Sequence, residues 1–181
     1  MSRDYNKELK DNSSRKYAYN FDTDVMHPFM IKSFREHFVK GNLLEMGSYK
    51  GTFTKRFLPF FDDISCIEAS SDAIDIAKNE LKGKKINFYN DLFENVVLPQ
   101  KYNNIILTHV LEHLDDPISV LKKIKNEWLA NNGKLFLVCP NANAASRQIA
   151  VKMGLISDNS AVTDAEREHG HNTTYSLKTL E

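Results

Sequence analysis

Residues 43–51 read LLEMGSYKG, and this stretch decides the fold that the sequence predicts. The mainly apolar run Asn42–Met46 indicates a buried strand, and the two glycines after it, Gly47 and Gly51, indicate a turn into a helical pattern. Glycines at a strand-to-helix turn let the backbone come close to a bound molecule. The stretch therefore predicts a ligand site at the end of a first strand.

Strand and helix patterns alternate on both sides of this stretch. The predicted strands are Asn42–Met46, Ile64–Glu68, Ile86–Asn90, Asn104–Thr108 and Lys134–Cys139. The predicted helices are Asp24–Lys40, Gly51–Phe60, Ser71–Lys82 and Pro117–Ala130, with a further helix ending at Gly154 and another beginning at Ser176. Alternation with strands this apolar predicts an α/β fold, a doubly wound, Rossmann-like and mostly parallel sheet flanked by helices. No sixth or seventh strand pattern follows.

Composition limits the partners of the 181-residue chain. Lysine plus arginine and aspartate plus glutamate balance at 24 each, so no overall charge favours nucleic acid. The polar N-terminus and the lack of an apolar run near roughly 20 residues predict a cytoplasmic protein without membrane insertion. We expect Cys66 and Cys139 to be small core residues. Residues 1–20 are predicted to be a loose polar arm, and residues 21–181 a single domain.

The acid within the stretch selects the ligand. No lysine-serine or lysine-threonine pair follows Gly51, which argues against a triphosphate loop, and the order Glu45, Gly47, Gly51 is not the dinucleotide pattern G-x-G-x-x-G. A pyrophosphate would meet the carboxylate of Glu45 as a like charge. S-adenosylmethionine instead carries a sulfonium and an ammonium group, for which that carboxylate is favourable.

Two further acids end the next two predicted strands. Glu68 closes the second strand, 21 residues after Gly47, where an acid can accept both ribose hydroxyls of an adenosine. Asp91 follows the third strand and can accept from an adenine amino group, while Leu92 or Phe93 covers the ring. Acids at the ends of three consecutive strands predict an adenosine-containing ligand.

Four stretches resemble, in order, the signatures of class I S-adenosylmethionine-dependent methyltransferases: LLEMGSYKG, CIEAS, YNDLF and IILTHVLEHLDDP. The resemblance covers about residues 42–140, and the later PNANAASRQIAVKMG with HGHNTTY is similar to bacterial members, some of which modify surface-polysaccharide building blocks. It implies methyl transfer to a hydroxyl or amine of a small acceptor, with S-adenosylhomocysteine as product. Because that family normally completes its sheet with two further strands, we expect the domain to be truncated at its C-terminus.

The resemblance also implies roles for individual residues. The predicted cofactor contacts are Glu45, Gly47, Ser48, Gly51, Glu68, Ala69, Asp91, Leu92, Phe93, Thr108 and His109. The predicted catalytic bases for a hydroxyl acceptor are His109 and His169. The predicted acceptor contacts are His113, Asn141, Arg147, His171 and Tyr175. We expect a small-molecule acceptor as the main partner, with a homodimer or a partner protein as further options.

A rival interpretation concerns residues 109–113, which match H-x-x-E-H, a zinc-hydrolase pattern. That pattern needs a helix, but His109 directly follows a strand and Pro117 stands four residues after His113. A third ligand would have to come from Glu168, His169 or His171. We therefore predict no metal, with a metal hydrolase and a non-catalytic cofactor-binding subunit as the alternatives to a methyltransferase.

Overall fold

The computed structural model describes residues 3–13 and 21–180 of the chain. Its strands are β1 (Leu43–Met46), β2 (Ile64–Ile67), β3 (Ile86–Tyr89), β4 (Tyr102–Thr108) and β5 (Leu129–Val138). Its α-helices are α1 (Tyr5–Ser13), α2 (His27–Phe34), α3 (Thr54–Phe57), α4 (Ser71–Glu80), α5 (Pro117–Lys123), α6 (Ala145–Lys152), α7 (Asp164–Glu168) and α8 (Leu177–Leu180). Two π-helical segments, Asp22–Met26 and Ile124–Trp128, and two 3-10 turns, Arg35–His37 and Leu111–His113, complete these elements.

The five strands form one sheet in the order β3-β2-β1-β4-β5. Strand β1 runs parallel to both of its neighbours, with Leu43 opposite Ile64 on one side and Asn104 on the other. Strand β2 is likewise parallel to β3. The order reverses beside β1, as in doubly wound sheets that bind ligands at the carboxyl ends of their strands. The prediction of a Rossmann-like parallel sheet flanked by helices is confirmed.

The core contains the buried strands and a cluster of phenylalanine rings. Every residue of β1 and β2 is buried, as expected for strands covered on both faces. Phe38 packs edge to face against Phe57, Phe60, Phe61 and Phe136, with ring centroids 4.8 to 6.3 Å apart. These contacts fix the segment after α2 against the sheet.

The N-terminal arm over residues 1–20 stays a prediction, but part of it is not loose. Tyr5–Ser13 form helix α1 rather than a loose segment, and Leu9 is buried. The Asn6 amide Nδ2 donates to Ser71 Oγ over 3.1 Å, at the start of α4. Polar contacts hold much of this helix, so hydrophobic periodicity gave little sign of it. Residues 14–20 of the predicted arm lie outside the described residues.

Several predicted boundaries also shift. The single helix expected over Asp24–Lys40 divides into a π-helical segment, α2 and a 3-10 turn, and the helix expected to reach Ala130 ends at Trp128. Strand β5 includes Asn131–Gly133, which lie between the predicted helix and the predicted strand Lys134–Cys139, and Asn132 is in the left-handed region at φ 63°. Within the described residues no strand follows Val138, apart from one isolated bridge between Asn141 and Tyr175.

The chain forms two compact units. The first unit comprises the residues up to Leu107 together with Ser119–Phe136, and the second comprises Thr108–Ile118 with the residues from Leu137 onward. The single domain over 21–181 and its C-terminal truncation stay predictions. None of the helices in the described ranges is long and apolar enough to cross a lipid bilayer.

Candidate functional site

The glycine turn in the first unit wraps over the end of β2. The Gly47 amide donates to Ile67 O over 2.9 Å, and the Gly51 amide donates to Ser48 O over 2.9 Å. Gly47, Tyr49 and Gly51 have φ values of 75°, 49° and 77°, all in the left-handed region. A non-glycine residue there is uncommon, and such residues concentrate at ligand sites.

Packing accounts for the second glycine. A Cβ on Gly51 would stand 2.9 Å from Leu81 Cδ1 and 3.0 Å from Ala77 Cβ. Its missing side chain therefore faces α4 and the residue that ends it, which brings the turn close to that helix. The structure thus gives Gly51 a role in positioning the turn, whereas its predicted cofactor contact stays a prediction.

Glu68, directly after β2, is held by two backbone amides. Its Oε2 accepts from Tyr49 N over 2.8 Å and its Oε1 accepts from Ser70 N over 2.9 Å. Burial raises the pKa of the carboxyl, and the two amide hydrogen bonds oppose that rise. Because each carboxylate oxygen has a second lone pair, both oxygens keep one acceptor site for a ligand hydroxyl.

Glu45 lies near the end of β1 and is 2 % exposed. Burial, with a smaller contribution from the nearby Glu68 charge, raises the pKa of its carboxyl to about 8. The Cys66 thiol donates to Glu45 Oε2 over 3.8 Å. The hydroxyls of Ser48 and Thr54 are also buried, and a side-chain hydrogen bond with Thr54 opposes the rise in the pKa of Glu45. This polar, enclosed strand end fits a ligand carrying a cationic group, which would ionise Glu45.

The end of β3 supplies the remaining predicted cofactor residues. Asp91 is exposed, and its Oδ1 accepts from Leu92 N over 2.8 Å. Leu92 and Phe93 are half-buried beside it. The preceding Asn90, which the sequence analysis missed, donates from Nδ2 to Glu68 O over 2.9 Å and to Ala69 O over 3.0 Å. Its place directly after a strand was the available signal.

Ser70 and Asn6 form further contacts that support the position of Glu68. Ser70 caps α4, because its Oγ accepts from Ala73 N over 3.1 Å. The Ser70 hydroxyl in turn donates to Asn6 Oδ1 over 2.7 Å. Helix α1 therefore braces the residue whose amide orients Glu68.

In the second unit, Thr108 ends β4 and His109 follows with an unusual backbone. His109 has φ 54°, its amide donates to Val138 O over 2.8 Å, and its side chain is 44 % exposed. Its Nδ1 lies 3.5 Å from Glu112 Oε1. A histidine held in the left-handed region supports a functional role for this position.

The H-x-x-E-H stretch does not form the helix of a zinc hydrolase. Leu111–His113 are a single 3-10 turn, so His109 and His113 are not on one helical face. The structure instead brings His171 to this turn: one ligand atom each from Glu112, His113 and His171 lie within 4.8 Å of one another. The ring centroids of His113 and His171 are 4.7 Å apart, and the two ring planes form an angle of 85°. Burial lowers the pKa of His171, although the Glu112 charge opposes this.

Asn141 and Tyr175 form one contact in the same unit. The Ala142 amide donates to Tyr175 O over 2.7 Å beside their isolated bridge. The Tyr175 hydroxyl is 3.4 Å from Leu111 O, and burial raises its pKa. Tyr175 thus lies against the turn that carries Glu112, while Asn141 accepts from Asn143 N over 2.9 Å.

Arg147 and His169 have structural contacts. The Arg147 guanidinium donates to Glu166 Oε1 over 2.6 Å, to Asn159 O over 2.7 Å and to Ala161 O. These contacts favour a structural role for Arg147, and its acceptor contact stays a prediction. The His169 amide caps the end of α7 by donating to Ala165 O and Glu166 O. The role of His169 as a base is also still a prediction.

Comparison with known proteins identifies the family. A family model described as a methyltransferase domain matches residues 16–181. The chain belongs to this methyltransferase family. The resemblance to S-adenosylmethionine-dependent methyltransferases is thereby confirmed, while no curated protein matches the chain.

Solved structures share the fold of this methyltransferase domain at low identity. One is the plantazolicin methyltransferase BpumL in complex with SAH, with TM-score 0.67 and 19 % identity over 96 % of this chain and 68 % of that one. Another is the N-methyltransferase NodS from Bradyrhizobium japonicum WM9, with TM-score 0.61 and 20 % identity. The match covers 70 % of this chain and 73 % of NodS. A third is an S-adenosylmethionine-dependent methyltransferase from Clostridium acetobutylicum ATCC 824, with TM-score 0.60 and 18 % identity. This chain is matched over 72 % of its length there and spans 58 % of that protein.

Proposed function

We propose that the chain binds S-adenosylmethionine across the ends of β1, β2 and β3 and transfers the methyl group to a small acceptor. One observation carries this proposal: Glu45, Glu68 and Asp91 stand at the ends of three neighbouring strands, in the sheet order β3-β2-β1. Since paired strands lie roughly 4.8 Å apart, the three acids span about 10 Å. That span suits a ligand laid along the strand ends.

Each acid suits a different part of the cofactor. Glu68, oriented by two amides, keeps acceptor sites for the two ribose hydroxyls. Asp91 accepts from the adenine amino group, with Leu92 and Phe93 against the ring. Glu45 faces the methionine part, where the ammonium or sulfonium charge would favour its ionised form.

The acceptor and the catalytic residues are further proposals. Methyl transfer is an in-line displacement, and positioning can supply about 7 to 11 kcal/mol of the barrier reduction. For a hydroxyl acceptor we propose His109 or His169 as the base, whereas an unprotonated amine needs none. His113, Asn141, His171 and Tyr175 are proposed acceptor contacts. NodS is an N-methyltransferase, which supports the amine option, and surface-polysaccharide building blocks are our proposed acceptor class. We place the reaction in the cytoplasm.

Calorimetric titration with S-adenosylhomocysteine tests the cofactor assignment. We expect micromolar binding by the full chain and a loss of about 100-fold or more for Glu68→Ala, because each hydrogen bond to a charged acceptor contributes roughly 1.5 to 3 kcal/mol. Glu94→Ala is the matched control, since Glu94 is also an acid of the first unit but is exposed. Equal affinities for the two variants would refute the role of Glu68, and no binding by the unaltered chain would refute the cofactor.

Methyl transfer from labelled S-adenosylmethionine to a panel of small hydroxyl and amine compounds tests the reaction. Transfer that requires both the chain and one class of acceptor supports an enzyme. Cofactor binding without transfer to any acceptor favours a non-catalytic cofactor-binding subunit, acting as a homodimer or with a partner protein.

A further inference from the structure

Glu112 is a buried acid that lacks hydrogen-bond donors. It is 1 % exposed, and neither carboxylate oxygen has a hydrogen bond within the described part of the chain. His109 Nδ1 lies 3.5 Å from its Oε1. A carboxylate removed from water without donors costs several kcal/mol. This position therefore favours a compensating cation.

The two histidines beside Glu112 have the chemistry of metal ligands. His113 Nδ1 lies 3.0 Å from Gly170 O, so that nitrogen carries the proton and Nε2 carries the lone pair. A backbone carbonyl that fixes the tautomer of a histidine in this way is the usual outer support of a metal-bound imidazole. The Nδ1 of His171 is buried and has no hydrogen-bond partner in the described ranges.

Backbone contacts hold these residues together although 58 positions separate His113 from His171. The Asn172 amide donates to Glu112 O over 2.7 Å, and Asn172 Nδ2 donates to His113 O over 3.2 Å. The turn of Glu112 and His113 is thus fixed to the segment that carries His171. The three ligand atoms, all within 4.8 Å of one another, belong to one preorganised cluster.

We propose that Glu112, His113 and His171 bind one divalent transition-metal ion, with zinc as the best fit. Two imidazoles and one carboxylate are the ligand set of open zinc sites, which leave a further position for an exogenous oxygen or nitrogen. Because Glu112 is a ligand here, it is not the free base that the zinc-hydrolase pattern requires. The metal site does not depend on the proposed methyl transfer.

Titration of the chelator-treated full chain with zinc, followed by calorimetry, tests the site. We expect one tight equivalent, weakened about 100-fold or more in Glu112→Gln and in His171→Ala. The matched controls are Glu94→Gln and His37→Ala, which remove an exposed acid and an exposed histidine. We expect both controls to bind as the unaltered chain does.

Cobalt binding gives a second measurement. Its absorption bands would not depend on Glu112 if this residue had only a structural role. We expect visible absorption bands typical of four- or five-coordinate cobalt in the unaltered chain and their loss in Glu112→Gln. If the variants fail to fold, zinc-dependent protection of the unaltered chain against urea replaces them, because a ligand of the folded state raises its stability. No zinc or cobalt binding by the unaltered chain, or equal loss in variants and controls, would overturn the proposal. Binding of S-adenosylhomocysteine is titrated separately, so the metal proposal and the cofactor proposal can each fail alone.

Discussion

Glu68 and Glu112 are the same kind of residue in opposite surroundings. Glu68 accepts from two backbone amides, whereas the carboxylate of Glu112 has no hydrogen bond in the described part of the chain. An acid already oriented by amides is ready for neutral hydroxyl donors, because its charge is partly satisfied. An acid buried without donors instead requires a cation or a proton. The local supply of donors, more than the residue type, therefore indicates the ligand.

Replacing each acid by methionine gives the largest expected contrast. Glu68→Met leaves the Tyr49 and Ser70 amides without their acceptor, so we expect the free energy of unfolding to fall by about 2 to 4 kcal/mol. Glu112→Met in metal-free protein removes a buried carboxyl that has no hydrogen bond within the described residues, so we expect a gain of about 1 to 3 kcal/mol. Urea unfolding in the presence of a chelator measures both, with Glu94→Met as control. Equal losses would mean that Glu112 has donors after all.

The pH dependence of stability sharpens the comparison at Glu45. Burial raises the pKa of this carboxyl from its ordinary 4.5 to about 8 in the folded protein. Between those values unfolding releases a proton, so the free energy of unfolding falls as pH rises, by about 1.4 kcal/mol per unit. The raised pKa of Glu68 acts in the same direction.

Glu45→Gln removes the contribution of Glu45, so we expect a shallower fall of stability between pH 5 and 8. Urea midpoints at several pH values measure it. Asp75→Asn, at an exposed site on α4, is the control and should keep the full slope. An unchanged slope in Glu45→Gln would show that Glu45 is ionised in the folded protein.

Gly51 and Gly83 allow the cost of close packing to be separated from the cost of a left-handed backbone. Gly51 and Gly83 both have positive φ, 77° and 81°, but only Gly51 has atoms where a Cβ would stand. Gly83→Ala should cost about 1 kcal/mol for its backbone alone. Gly51→Ala should cost about 1 to 3 kcal/mol more, since Ala77 and Leu81 must move. Urea unfolding of the two variants compares them, and equal costs would argue against the tight packing of the turn on α4.

The first unit was the more predictable from sequence. The alternation of apolar strands and helices predicted the parallel sheet, and the acids at the ends of successive strands marked the edge at which we propose that the cofactor binds. The sequence did not reveal why position 51 is a glycine, because Ala77 and Leu81 lie 26 and 30 residues further on, in α4 and directly after it. Helix α1 was missed because its contact with α4 includes a polar side chain, Asn6, and not an apolar stripe.

For the second unit, the sequence predicted candidate site residues but not which of them come together. His171 was named as one of three options for a third ligand, but nothing in the spacing selected it. The selection depends on Asn172, which bonds to the backbone of Glu112 and His113 across almost 60 residues. Such long-range backbone pairing has no periodic signature in the sequence.

The brace from Asn6 through Ser70 to Glu68 has a practical consequence for handling the protein. A protease that cleaves after the first 13 residues would remove Asn6 and leave the Ser70 hydroxyl without this partner. The sheet would remain whole, so the clipped protein would pass ordinary checks of folding. Weaker S-adenosylhomocysteine binding by the clipped protein would then be mistaken for a property of Glu68 itself, so mass spectrometry of the intact chain should precede every titration.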